Sequence, residues 1–299
     1  MNGYGKVALG ALMILTGCGS SSSEPVRVCA SDIAVGEVQA FGPATPAFTE
    51  GITFDANGNL FVSALYDDPD DDELLSISVQ GAAQAVAQAP SLLGLASSEN
   101  GILAAGVDTG ELLLIDPTDG SVEVVAEDLG RPNFVVTTPW GTVLVSDDSQ
   151  GEDTIDEVTF DGGVSTWVQG VPTPNGMVFS LDGRTLYVAS TFQEPGLWRV
   201  PVSEGGQAGV PEKWVSFELT TPDGVAIDSE GNVYVALNFN GQVAKVDADG
   251  SASIIAEGVD YAASLAFGQG DFDPCSIYVT SLFGTQLWRV GTGVLGTEN

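Results

Sequence analysis

The sequence predicts an all-β fold, a six-bladed β-propeller with four antiparallel strands per blade, on three observations. A hairpin pattern recurs six times: alternating apolar residues, an Asp/Asn-rich turn ending in glycine, then a strand of the type Leu-Tyr-Val. Its turn glycines, Gly58, Gly101, Gly141, Gly183, Gly231 and Gly270, lie 43, 40, 42, 48 and 39 residues apart, the length of four short strands. No amphipathic helical period interrupts the repeats, and no capping unit marks an open solenoid. A ring is the closure that leaves no long strand edge exposed.

Composition narrows the chemistry. Among 299 residues, 41 acidic against 8 basic side chains give a net charge of −33, a field that repels nucleic acid. There is no histidine, which removes Ser-His-Asp and Cys-His catalysis and every His-ligated metal site. Gly-x-Ser-x-Gly, phosphate-loop and dinucleotide motifs are absent as well. Chemistry is left to carboxylates, amides, hydroxyls or a bound ion.

The chain begins with a short polar stretch containing Lys6, then an apolar run from Val7 to Leu15 that ends in Leu15-Thr16-Gly17-Cys18. The run is too short to span a bilayer, where about 20 residues are needed. Leu15-Thr16-Gly17-Cys18 resembles the lipobox of bacterial lipoproteins, which implies a signal peptide over 1–17 and a lipid on Cys18. A Ser-rich tether over 18–30 would follow. Gly19 resembles outer-membrane sorting, placing the chain in the cell envelope on the periplasmic face; an ordinary secretory signal is the alternative. Export permits a disulfide between Cys29, ahead of the repeats, and Cys275, in the last one, with two free thiols as the alternative.

The propeller is expected over 31–295, with residues 32–41 lending an outer strand to the last blade and 296–299 as a tail. First strands open at Glu50, Leu93, Asn133, Asn175, Asp223 and, by alignment of Phe267 with Phe54 and Phe179, Ala263. The first strand of a blade lies nearest the axis, so these six form one ring at one mouth. Two carboxylates in a shared cavity repel unless a positive charge lies between them. All-oxygen donors favour one divalent cation, calcium first, with magnesium or zinc as alternatives. Pro174-Asn175-Gly176 and Pro222-Asp223-Gly224 are also turn formers in their own right; Glu50 is not. Arg131, one of few basic residues, sits two positions before Asn133, as a donor to substrate or as charge balance. The run 67–73, rich in aspartate, reads as a solvated loop rather than a second cation site.

Glu50-Gly51, Arg131-Pro132-Asn133, Pro174-Asn175-Gly176 and Pro222-Asp223-Gly224, in that order across residues 45 to 290, resemble the senescence marker protein, regucalcin and gluconolactonase family of six-bladed propellers. The resemblance implies a cation held by Glu50, Asn175 and Asp223, with Asp223 as general base. It further implies substrate contacts from Arg131 and Asn133, and hydrolysis of a small lactone. Independently of the resemblance, a monomer whose membrane contact is its lipid alone is expected. Ile52 and Phe134 depart from the proline and aspartate frequent after those motifs, which bears on the substrate. A non-catalytic propeller that binds a sugar or a protein is the alternative.

Overall fold

The computed structural model describes Cys29 and residues 31–297, apart from 148, 150 and 152; the leader, Cys18 and most of the tether lie outside the described residues. Among the described residues the chain forms six four-stranded antiparallel sheets around an axis and two short 3-10 turns, Pro69–Asp71 and Asn238–Asn240. The innermost strands, in blade order, are Phe48–Phe54, Leu92–Ser98, Pro132–Thr137, Pro174–Phe179, Pro222–Ile227 and Ala262–Phe267. Each packs on the next, and the last packs on the first.

The repeat's turn is set by its aspartate. In blade one, Asp55 Oδ1 accepts from the backbone N–H groups of Asn57 and Asn59, at 2.9 and 2.8 Å, while Gly58 takes φ of +79°. In blade five, Asp228 makes the same two bonds to Glu230 and Asn232, with Gly231 at +87°. Only glycine adopts such a φ without steric cost, so Asp-x-x-Gly fixes where the first strand reverses.

Blades pack face to face, so their middle strands are covered on both sides; Val233–Leu237 is buried at every residue. The outermost strands, such as Ala252–Glu257, expose most of their residues. Each interface is a run of Val, Leu, Ile and aromatic side chains from two neighbouring blades. The one joining blade six to blade one sets Phe272, Tyr278 and Leu287 against Ile52, Phe54, Leu60 and Val62.

Ring closure uses the segment ahead of blade one. Val38–Ala40 pairs with Trp288–Gly291 as the outer strand of blade six, within the range 32–41 expected from sequence. Cys29 and Cys275 are joined by a disulfide, their Cα atoms 5.5 Å apart and 246 residues apart in the chain. Beside it, the Arg289 guanidinium bridges Asp273 and Asp32, and the Asp273 carboxylate also accepts from Ser31 and Ser276, both at 2.6 Å.

The acidic run behaves as a solvated loop over Asp67–Asp71 but not at Asp72. Asp72 is buried, accepting from Tyr66 N at 2.8 Å and Leu92 N at 3.1 Å, and so ties this loop to the start of blade two. Burial pushes its carboxyl up to about 6 despite these two bonds. The folded state therefore holds this proton more tightly than the unfolded chain. That stability is complete below about pH 4 and is lost as pH rises through about 6. Asp72→Asn is expected to remove this slope; urea midpoints from pH 4 to 7 that run parallel in variant and wild type would refute it.

Candidate functional site at the axial mouth

In every blade the first strand loses register with the second at the ring position. The breaks fall at Thr49/Ile52, Leu92/Leu95, Pro132/Val135, Pro174/Met177, Pro222/Val225 and Ala262/Leu265. Each break takes two residues off the ladder, among them Glu50, Leu93, Asn133, Asn175, Asp223 and Ala263. A bulge of this kind re-aims side chains that a regular strand would direct into a blade interface.

The bulges of successive blades touch. A Cβ on Gly51 would lie 2.2 Å from the Leu93 carbonyl oxygen, and one on Gly176 would lie 2.4 Å from that of Asp223. Hence glycine follows the ring residue in four of the six blades. The contact is reinforced by hydroxyls of the second strands. Ser146 accepts from Phe134 N at 3.2 Å and donates to the Asn175 carbonyl at 2.9 Å. Thr280 accepts from Ser264 N at 3.0 Å and donates to the Glu50 carbonyl. Thr280→Val would remove both of these buried hydrogen bonds, at about 1–3 kcal/mol each. We expect a loss of roughly 2–4 kcal/mol in urea unfolding and near-complete rescue by Thr280→Ser; an unchanged midpoint for the valine variant would refute the role.

The polar members of the ring are held out of water. Glu50, Asn133, Asn175 and Asp223 are 4%, 6%, 3% and 4% exposed, values seldom met by carboxylates without a dedicated purpose. A fifth side chain, not foreseen from sequence, joins them. Asn238, 3% exposed, donates from Nδ2 to Asp223 Oδ2 at 3.0 Å and fixes one oxygen of that carboxylate. The signal for it was partial: four of the other blades carry Leu65, Val107, Thr191 and Leu282 at the exit of the second strand, blade five carries an amide, and blade three has Asp148 in sequence there.

The donor set suits a hard divalent cation. It comprises two carboxylates and three carboxamides, with no sulfur or imidazole, and the buried Asn133 Oδ1 and Asn238 Oδ1 accept no hydrogen bond from any described residue. Among the described residues no group of three or more Asp, Glu, His or Cys side chains is placed to hold a metal ion by itself. Arg131 stands at the rim, exposed, its guanidinium 3.2 Å from Asp108 and its backbone N–H on Asp147 Oδ2 at 3.0 Å. The charge-balance partner is thus Asp108 in the adjoining loop. An exposed pair of this kind is worth at most about 1 kcal/mol and yields readily to a competing anion or hydroxyl.

Fold and mouth together define a class: a six-bladed propeller whose bulged innermost strands carry buried oxygen donors at one mouth. The chain belongs to the SMP-30/gluconolactonase/LRE-like family, whose sequence profile matches residues 48–283. It is 30% identical over 213 residues, 68% of this chain and 71% of the relative, to the pentonolactonase XacC of Haloferax volcanii. A calcium-binding protein, regucalcin, from Agrobacterium tumefaciens superposes with a TM-score of 0.70 at 24% identity, over 85% of this chain and 93% of that one. A gluconolactonase from Xanthomonas campestris gives 0.70 at 18% identity, over 89% and 99%.

Proposed function

We propose that the chain is a lactone hydrolase that works with one divalent cation, calcium foremost, held by Glu50, Asn175 and Asp223. One observation carries this reading: two carboxylates and a carboxamide from blades one, four and five are brought off their ladders onto one buried ring. The lactonase relative and the calcium-binding structural neighbour support it.

A bound cation would supply Lewis acidity, polarising a carbonyl oxygen and lowering the pKa of a water. The protein's own groups would do the rest. Asp223, one oxygen of which is oriented by Asn238, would accept a proton from the attacking water. Asn133 and, once released from Asp108, Arg131 donate hydrogen bonds to the ring or hydroxyl oxygens of the substrate on the opposite side of the mouth from blade six. The acyl carbon gains the water oxygen and loses the ring oxygen, which takes up the proton that Asp223 removed and leaves as a hydroxyl on the same molecule.

The test is turnover of sugar and aliphatic lactones by purified chain, with and without chelator. Chelator-sensitive ring opening restored by Ca²⁺ is expected; cation binding without opening of any lactone refutes the reading. We further place the chain outside the cytoplasm, anchored through Cys18. The Cys29–Cys275 bridge, which needs an oxidising compartment, supports this. Radiolabelled palmitate should label wild type and not Cys18→Ala.

A further inference from the structure

Exposed aromatic rings are concentrated at the mouth that holds the polar cluster. Phe48, Phe239, Tyr261 and Phe283 are 42%, 63%, 42% and 49% exposed. They form one contiguous group: Phe283 lies 6.4 Å from Phe48, 6.2 Å from Phe239 and 5.6 Å from Tyr261, centroid to centroid. Chain position ties the group to the site. Phe48 precedes Glu50 by two residues, Phe239 follows Asn238, and the Tyr261 carbonyl accepts from the same Asn238 Nδ2 at 3.4 Å. The rings come from blades five, six and one, and so stand over blade six, across the axis from Arg131 and Asn133 on blade three. At the ring position beneath them is Ala263, which offers no polar group.

Tyr261 is held at φ of +52°, a conformation costly for a residue with a side chain, with its ring left in solvent. Its backbone is pinned there: Ala262 N donates to the Val259 carbonyl and Leu282 N to that of Tyr261.

The size and surroundings of the group decide what it takes. At about 200 Å² per ring, its exposed area is roughly 400 Å², about half of what one partner of a stable protein interface covers. A membrane-docking patch carries Lys and Arg around its apolar residues. Here the exposed neighbours on the same face are acidic: Asp67, Asp68, Asp71, Glu218 and Asp260. Three of the four rings in this arc carry no hydrogen-bonding group, so the surface they present suits an apolar group better than a polyhydroxylated ring. An uncharged alkyl or aryl group of a small molecule meets all three conditions.

Resting on the hydrolase reading above, we propose that the substrate is a lactone with an apolar substituent, and that Phe48, Phe239, Tyr261 and Phe283 bind that substituent while Arg131 and Asn133 hold the oxygen-bearing side. Specificity then rises with chain length. Purified full-length chain, wild type and Phe239→Ser/Phe283→Ser, is assayed on γ-butyrolactone and on γ-lactones bearing ethyl to hexyl groups. Wild-type kcat/KM is expected to climb at least about tenfold across the series, and the double variant to lose more on the hexyl lactone than on the unsubstituted one, flattening that climb. A flat wild-type series, or an equal fall on every substrate in the variant, overturns the proposal and leaves hydrolysis standing. If no lactone is opened the hydrolase reading fails, and binding decides the arc. 2-Hexylcyclopentanone, which cannot be hydrolysed, should bind wild type at least tenfold more tightly than the variant, and equal binding overturns the proposal. Ring substitutions that release the chain from phosphatidylcholine vesicles without changing the lactone series assign the arc to a membrane, which also overturns it.

Discussion

Asp223→Asn is expected to lower kcat/KM for lactone opening by about 10³-fold or more, with little change in the folded population. Loss of a positioned proton acceptor alone costs 10²–10⁴-fold. The asparagine keeps an oxygen donor and nearly the same volume, and it leaves the bulge at Pro222/Val225 intact. The substitution also removes one of two carboxylates from the proposed cation set, so Ca²⁺ titrated calorimetrically into the variant should bind at least tenfold more weakly. Asn175→Ala should share the second effect, since its side chain can hold a cation but cannot take a proton. Unaltered Ca²⁺ affinity in Asp223→Asn would remove this residue from the cation site, and unaltered kcat/KM would remove it from catalysis.

The largest loss of stability is expected from Arg289→Met. Its side chain is 14% exposed and that of its partner Asp273 is 13% exposed, so the substitution strands a carboxylate in a partly dry pocket. Breaking one side of a buried pair costs about 3–5 kcal/mol. For a domain of this size we expect a fall in Tm of roughly 10 °C. The pH dependence gives an independent reading. Burial alone would raise the Asp273 carboxyl. Hydrogen bonds from Ser276, Ser31, the Cys275 backbone and Arg289 outweigh it and bring the group down to about 2. A depressed carboxylate contributes stability that is present above about pH 4 and disappears as pH falls through about 2. The wild-type advantage over Arg289→Met should therefore shrink toward pH 2. Replacing both members, Arg289→Met with Asp273→Asn, should recover part of the loss because no lone charge remains. An Arg289→Met chain that melts with the wild type would show that the disulfide and the strand pair Val38–Ala40 with Trp288–Gly291 close the ring unaided.

These two sites differ in how far they could be read ahead of the fold. Glu50, Asn133, Asn175 and Asp223 were legible because repetition converts a phase along the chain into a place around an axis. The outer strand at Val38–Ala40 was legible for the same reason, as the last blade lacked a strand. Asn238 was harder, since the position at the exit of the second strand follows no repeat: it is Leu65, Val107, Thr191 and Leu282 in four of the other blades and Asp148 in blade three. The clasp of Arg289 with Asp273, Asp32 and Ser31 joins segments more than 240 residues apart and follows no repeat. Asp72 looked like its neighbours in an acidic run, and only its turn inward toward Leu92 N set it apart.

The sequence by itself determined the six blades, their closure and the ring of oxygen donors, because local turn chemistry, strand alternation and a fixed period all point to one arrangement. The tertiary structure alone decided which side chains complete that ring: Asn238 on Asp223, Thr280 and Ser146 between blades, and four aromatic rings standing across from Arg131. Those contacts depend on loops of different blades meeting at the mouth. A repeat period fixes which positions share a mouth, while the distances across it follow from how six twisted sheets pack around their axis.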